Sequence, residues 1–150
     1  MGRMQLEKGK RGERELFSLI SDELGITVTR ALGAARDGGC DSLDIPGWSP
    51  EVKRTEVYAN AYWRQACEQA EETGRLPVLF WRPSRKPWVA LVDLADVAPH
   101  VFPRRNEHEP AQLSLAAWTH LVRKQLGSKG ASGLPGGARI AQNVTADTEV

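Results

Sequence analysis

Apolar residues recur at helical spacing over residues 8–24, where Phe17, Ile20 and Leu24 fall three or four apart with Leu16 beside them. Gly25 is a good C-terminal stop for that helix. Glu13 lies one turn before Phe17 on the same stripe, so its carboxylate faces the body of the protein; alternatively it belongs to a frayed first turn, where an acid favours the helix dipole. Residues 26–30 (Ile-Thr-Val-Thr-Arg) alternate and are β-branched, which predicts a strand, and 33–39 reads as a loop. A short strand follows at 42–45, then a Pro46-Gly47 turn, and 51–55 returns as the second arm of a hairpin. A second helix covers 59–73, stopped by Gly74, with Ala59, Trp63, Ala66, Cys67 and Ala70 along one side. Strands at 77–81 and 88–93 flank a polar turn, an irregular stretch rich in Pro and His comes next, and Ser114 caps a last helix through 126. The order is α-β-β-β-α-β-β-α, an α/β fold with a mixed sheet flanked by helices.

Beyond residue 126 the composition turns to Gly, Ser and Ala with few large apolar residues. That segment cannot bury enough surface to offset its ordering entropy. The expected organisation is therefore one domain over 1–126 and a disordered tail over 127–150. A length of 150 residues suits one domain with a real core. The sequence has no apolar run long enough to span a bilayer, no secretory leader at its start, and only two cysteines. These features point to a soluble, cytoplasmic protein without a disulfide framework or an obvious structural zinc site. Net charge is +1, but residues 3–14 hold five basic side chains against two acidic ones, and Arg30, Arg36, Lys53 and Arg54 follow before the midpoint. A local basic face is thus available to an anionic partner.

The hairpin carries the candidate chemistry. Glu51 and Lys53 are two apart on a strand and leave the same face. Two carboxylates beside a lysine at a sheet end form a magnesium site: the hard cation takes oxygen ligands, and the ammonium orients a water or stabilises charge on a phosphate. Glu51 supplies one oxygen, the Val52 carbonyl a second, and an aspartate from the preceding strand a third. An acidic-x-Lys pattern alone is expected roughly once by chance in this chain, so its weight comes from its neighbours. Asp41 and Asp44 compete for the third position. A two-residue turn favours the Asp44 face, a three-residue turn favours Asp41, and a bulge reverses either. Pro50 withholds a backbone donor, so the strand must begin there or lie at an edge. The five tryptophans read mostly as core or interface, Trp48 at the turn being the candidate for a DNA contact. His100, His108 and His120 lack ligand spacing, and Cys40 has no evident base beside it.

Lys8-Gly9-Lys10-Arg11-Gly12-Glu13-Arg14-Glu15-Leu16 resembles the opening helix of archaeal and phage Holliday junction resolvases of the PD-(D/E)xK nuclease superfamily. The resemblance continues through Gly38-Gly39-Cys40-Asp41, Pro46-Gly47, Glu51-Val52-Lys53-Arg54, Trp63-Arg64-Gln65-Ala66 and Leu76-Pro77-Val78-Leu79-Phe80, covering roughly 8–94. It implies a restriction-endonuclease-like fold and a metal-dependent endonuclease that cuts four-way DNA junctions. By the same resemblance, Glu13 matches the helical acid, Asp41 the strand aspartate (its Gly-Gly-x-Asp pattern favours it over Asp44), Glu51 and Lys53 the acidic-x-Lys pair, and Gln65 a helical glutamine. The implied cofactor is Mg²⁺, with Mn²⁺ able to substitute, held by Asp41, Glu51 and the Val52 carbonyl, while Glu13 holds a second metal or a metal-bound water. Lys10, Arg11, Arg30, Arg36 and Arg54 are the implied phosphate contacts. Symmetric cutting implies a C2 homodimer, with the 77–81 strand and the last helix as candidate interface elements. A phage origin and a host-cytoplasm location go with the phage-like pattern. Two other readings are a nuclease of this superfamily acting on duplex, flap or single-stranded DNA, and a non-catalytic DNA-binding module of the same fold.

Overall fold

A computed structural model describes residues 2–31, 40–42 and 44–132. The element order is α1 (Gly2–Leu24), β1 (Trp48–Lys53), α2 (Asn60–Thr73), β2 (Leu76–Trp81), β3 (Val89–Val92), α3 (Leu94–Val97), β4 (Ala111–Ser114) and α4 (Leu115–Ser132). The four strands form one sheet in the order β1-β2-β3-β4. β1 and β2 run parallel, with α2 as the crossover that parallel pairing requires, and β3 and β4 add antiparallel. The fold is therefore the expected mixed sheet flanked by helices.

Alternation along the strands sorts the two faces. Val52, Val78, Phe80, Ala90 and Val92 pack with Leu16, Phe17 and Ile20 of α1 and with Trp118 and Val122 of α4. Trp118 sits edge-on to both Trp48 and Phe80, at centroid distances of 5.6 and 4.8 Å. On the other face Leu79 and Leu91 pack against Ala66 of α2, ringed by Tyr58, Tyr62, Trp63, Trp81 and Val89. Glu51 is in register with Leu79, so it leaves β1 toward α2.

Several elements differ from expectation for identifiable reasons. Residues 26–30 join no ladder, and side chains meet backbone groups there instead: Val28 N–H donates to Ser21 Oγ, and the Thr29 carbonyl accepts from Ser42 Oγ. The expected strand at 42–45 is likewise absent among its described residues. β1 starts at Trp48 rather than at Glu51, and it is an edge of the sheet. β4 and α3 occupy the stretch that reads as irregular, α3 being capped by the Asp93 side chain on Ala95 N–H. α4 continues through Ser132, so 127–132 is helical, while 133–150 lies outside the described residues. β2 is flanked by β1 and β3, so the 77–81 strand lies in the interior of the sheet and offers no free edge. No helix among the described residues is long and apolar enough to cross a membrane.

Candidate active site

The parallel ladder dictates which backbone groups of β1 face outward. Leu76 N–H donates to Gly47 and Arg82 N–H to Lys53, so the odd positions of β1 serve β2 and the even ones point away. Pro50 occupies one of those outward positions, where its missing N–H costs the sheet nothing. Its carbonyl accepts from Asp41 N–H at 2.9 Å. Two residues on, Val52 N–H donates to Asp41 Oδ2 at 2.7 Å. A residue's N–H and C=O leave an extended strand on the same side, so the Val52 carbonyl shares this edge with the Asp41 carboxylate. Asp44 goes elsewhere: it accepts from Thr29 N–H and Oγ1 at 2.8 and 2.7 Å, and those bonds hold its carboxyl below the usual range. Asp41, not Asp44, thus joins the Glu51 cluster.

Glu51 is only 4% exposed. Lys53 Nζ pairs with its Oε1 at 2.9 Å and lies 5.5 Å from the centroid of the Tyr62 ring. The Gln69 side chain also hydrogen-bonds Glu51, and since a carboxylate only accepts, the donor is the Gln69 amide nitrogen. Gln69 Oε1 is buried and has no hydrogen-bond partner. Tyr62, Gln65 and Gln69 share one helical face, and the glutamine that reaches Glu51 is Gln69, one turn beyond Gln65, which is half-buried. The sequence signal for Gln69 was the spacing of four, but the register of α2 over β1 decides between the two.

Burial and the neighbouring Glu51 charge push the Asp41 carboxyl up to about 7, against a stabilising bond from Val52 N–H. Glu51 is raised as well, mainly by burial, with Lys53 and Gln69 opposing the shift. Glu13 adds to the negative potential at both. Two half-compensated acids crowded at one strand edge are a functional arrangement more than a stabilising one.

The remaining expected residues divide. Glu13 forms an ion pair with Arg30, both largely buried. Arg11 is exposed and Lys10 half-buried on α1, while Arg36 lies outside the described residues. Arg54 is half-buried against α1: its Cδ would meet a Cβ at Gly12 at 3.0 Å, and its Nε is buried without a hydrogen bond. Trp48 is fully buried and donates to Gln125 Oε1 at 2.9 Å, so it is core and not a DNA contact. Cys40 is buried with its thiol on the Ser42 carbonyl, and the three histidines are exposed.

No protein-family model and no curated protein matches the chain. Among solved structures, it is similar to the 1.6 Å structure of Hjc from Archaeoglobus fulgidus, described as a Holliday junction resolvase from an archaeal hyperthermophile. The two are 16% identical with a TM-score of 0.44 over 74% of this chain and 87% of that one. The chemistry of the site is carried by the chain's own side chains.

Proposed function

We propose that this chain is a divalent-metal-dependent endonuclease that cleaves DNA phosphodiesters, with four-way junctions as its substrate. One observation carries the reading: Asp41 and Glu51 are held at one end of β1, close enough for the Glu51 charge to help raise the Asp41 carboxyl, with Lys53 paired to Glu51. Among the described residues no three His, Cys, Asp or Glu side chains group around a common centre. That donor set still suits Mg²⁺, which keeps several waters and is bound through one or two carboxylates. Asp41, Glu51 and the Val52 carbonyl would hold the ion, which supplies charge neutralisation at the phosphate and an acidified water.

The protein's own contributions follow from the geometry. Val52 N–H pins Asp41 Oδ2, fixing the carboxylate in one orientation. Gln69 and Lys53 do the same for Glu51 from two directions. Lys53, steadied over Tyr62, keeps an ammonium where negative charge develops on a phosphorane. Exposed Arg11 and half-buried Lys10 on α1 supply sequence-independent attraction for the DNA backbone. Opposed cuts in a symmetric junction call for two such sites, hence a C2 homodimer.

The test is cleavage of a labelled four-way junction beside linear duplex of matched sequence, in Mg²⁺ and in EDTA. Symmetric, Mg²⁺-dependent nicks confined to the junction are expected. Equal cutting of duplex would leave a nuclease without junction selectivity, and tight junction binding without cleavage in Mg²⁺ or Mn²⁺ would replace the enzyme with a binding module.

A further inference from the structure

After Glu51 and Lys53, β1 runs on into a short loop over 54–59, and the chain bends there at Glu56 and Val57 before α2 begins. Val57 sits at the bend and is 75% exposed. A single exposed valine needs no explanation, but the way this one is mounted does. Trp81 Nε1 donates to the carbonyl and to Oγ1 of Thr55, at 3.0 and 3.1 Å, and Thr55 Oγ1 donates in turn to the Val57 carbonyl at 3.1 Å. Glu56 accepts from Ser84 N–H, at 3.1 and 3.2 Å to its two oxygens, and from Ser84 Oγ, with Lys8 Nζ at 3.5 Å. Tyr58 stands edge-on to Trp81 at 5.6 Å and to Tyr62 at 6.2 Å, the ring that carries Lys53. The residues on either side of Val57 are thus fastened to β2, to the turn between β2 and β3 and to α2, while its own side chain is left to solvent.

On the nuclease reading above, we propose that Val57 is a wedge for branched DNA: it packs against a base unstacked at the point of strand exchange and so selects a junction over continuous duplex. Val57 follows Lys53 by four residues, a span of at most about 14 Å, so the base it meets lies within about four nucleotides of the phosphate being cut. Its surround suits DNA, since the neighbouring 82–87 turn has no acidic residue and exposes Arg85 and Lys86. A side chain branched at Cβ has few rotamers to lose, and the loop beneath it is already fixed, so the contact is preorganised. Continuous duplex offers a base face only by breaking a stack. Where strands exchange, stacking is already interrupted and a base costs least to expose. Val57 thereby reads branching, which the metal site cannot do, because every phosphodiester presents it with the same chemistry.

The test uses the full-length chain in EDTA with three DNAs: a four-way junction carrying 2-aminopurine at the bases flanking the branch point in turn, the same junction with the probe in mid-arm, and linear duplex of matched sequence. The probe fluoresces when unstacked. Binding of the native protein should brighten a branch-point probe and leave the mid-arm probe unchanged. Val57→Ser should remove most of that rise and lower the ratio of junction to duplex affinity by about fivefold or more. Val57→Leu, which keeps an apolar tip, should retain both the rise and the ratio. Val57 is exposed, so neither exchange threatens the fold, and melts by circular dichroism check this. An unchanged affinity ratio or branch-point signal in Val57→Ser would overturn the proposal, as would equal losses in Val57→Ser and Val57→Leu. A change of oligomeric state in Val57→Ser, measured by sedimentation, would overturn it too, by making a second copy of the chain the occupant of this surface. If the native protein cuts DNA in Mg²⁺ and these results still go against Val57, only the wedge falls. A native protein that neither binds nor cuts DNA brings down the nuclease reading and the wedge with it.

Discussion

Glu51 is held from two sides, by Lys53 along the strand and by Gln69 from the helix above, and this double hold gives the two glutamines of α2 different consequences. Gln69→Leu keeps the volume but removes the donor to a buried carboxylate, and cleavage in Mg²⁺ should fall by roughly tenfold or more. Gln65→Ala should stay within about threefold, since its partner is not Glu51. Initial rates on the same junction substrate check both, and equal losses would mean that α2 contributes through Gln65 as well. Glu51→Gln is the sharper case: it removes a proposed ligand while keeping the shape, and single-turnover cleavage should drop by about 10²-fold or more. A rate unchanged from the native protein would end the site assignment. The pair Glu51 and Lys53 was legible from strand alternation, which needs no tertiary knowledge. Strand alternation left Asp41 and Asp44 open and only the resemblance favoured Asp41; the physical reason is tertiary, Thr29 drawing Asp44 away through two hydrogen bonds.

At the scale of elements, local pattern succeeded wherever an element buries one apolar face. α1, α2, β2 and β3 all carry large apolar residues at their own period, and Gly74 ends α2 in the left-handed conformation with φ of 64°, as its sequence position suggests. β4 escaped because Ala111-Gln112-Leu113-Ser114 has a single large apolar side chain and owes its place to pairing with β3. The 26–30 segment misled in the opposite way, since its β-branched residues form no strand and backbone groups of Val28 and Thr29 are met by serine side chains. The packing of α1 on the sheet end has a narrow tolerance at one point. A Cβ at Gly12 would lie 3.0 Å from Arg54 Cδ and 3.6 Å from the Trp88 ring. Gly12→Val puts two branched carbons into that gap, and we expect a loss of about 1–3 kcal/mol in urea unfolding despite the helix propensity gained over glycine. Because Glu13 is the next residue, any tilt of α1 that relieves the clash also disturbs its ion pair with Arg30.

For the whole molecule, the site works against the stability of the fold that holds it. The core cluster joining α1, α4 and one face of the sheet is apolar throughout, whereas the end of β1 gathers Asp41, Glu51 and Glu13, with Lys53 paired to Glu51 and Arg30 to Glu13 among the described residues. The Asp41 carboxyl has an ordinary value of 3.8 and rises to about 7 in the folded protein, mainly through burial. Between those values the folded state therefore holds a proton that the unfolded chain has released. The sign follows directly: in EDTA, stability should decline as pH rises from about 4 to about 7 and level off above, with this carboxyl contributing a slope of at most about 1.4 kcal/mol per pH unit. Asp41→Asn keeps an oxygen to accept from Val52 N–H but has no charge to suppress, so its melting temperature should exceed the native protein's near pH 8 and lose most of that pH slope. A cation that needs both carboxylates ionised should show the mirror image, stabilising the native protein by a margin that widens from pH 5 to pH 8 and leaving Asp41→Asn almost unmoved. Melting curves of both proteins at pH 5 and pH 8, with EDTA and with Mn²⁺, separate these outcomes. A native protein that grows more stable with pH in EDTA would mean that the crowding of negative charge at the end of β1 is relieved by other groups of the fold.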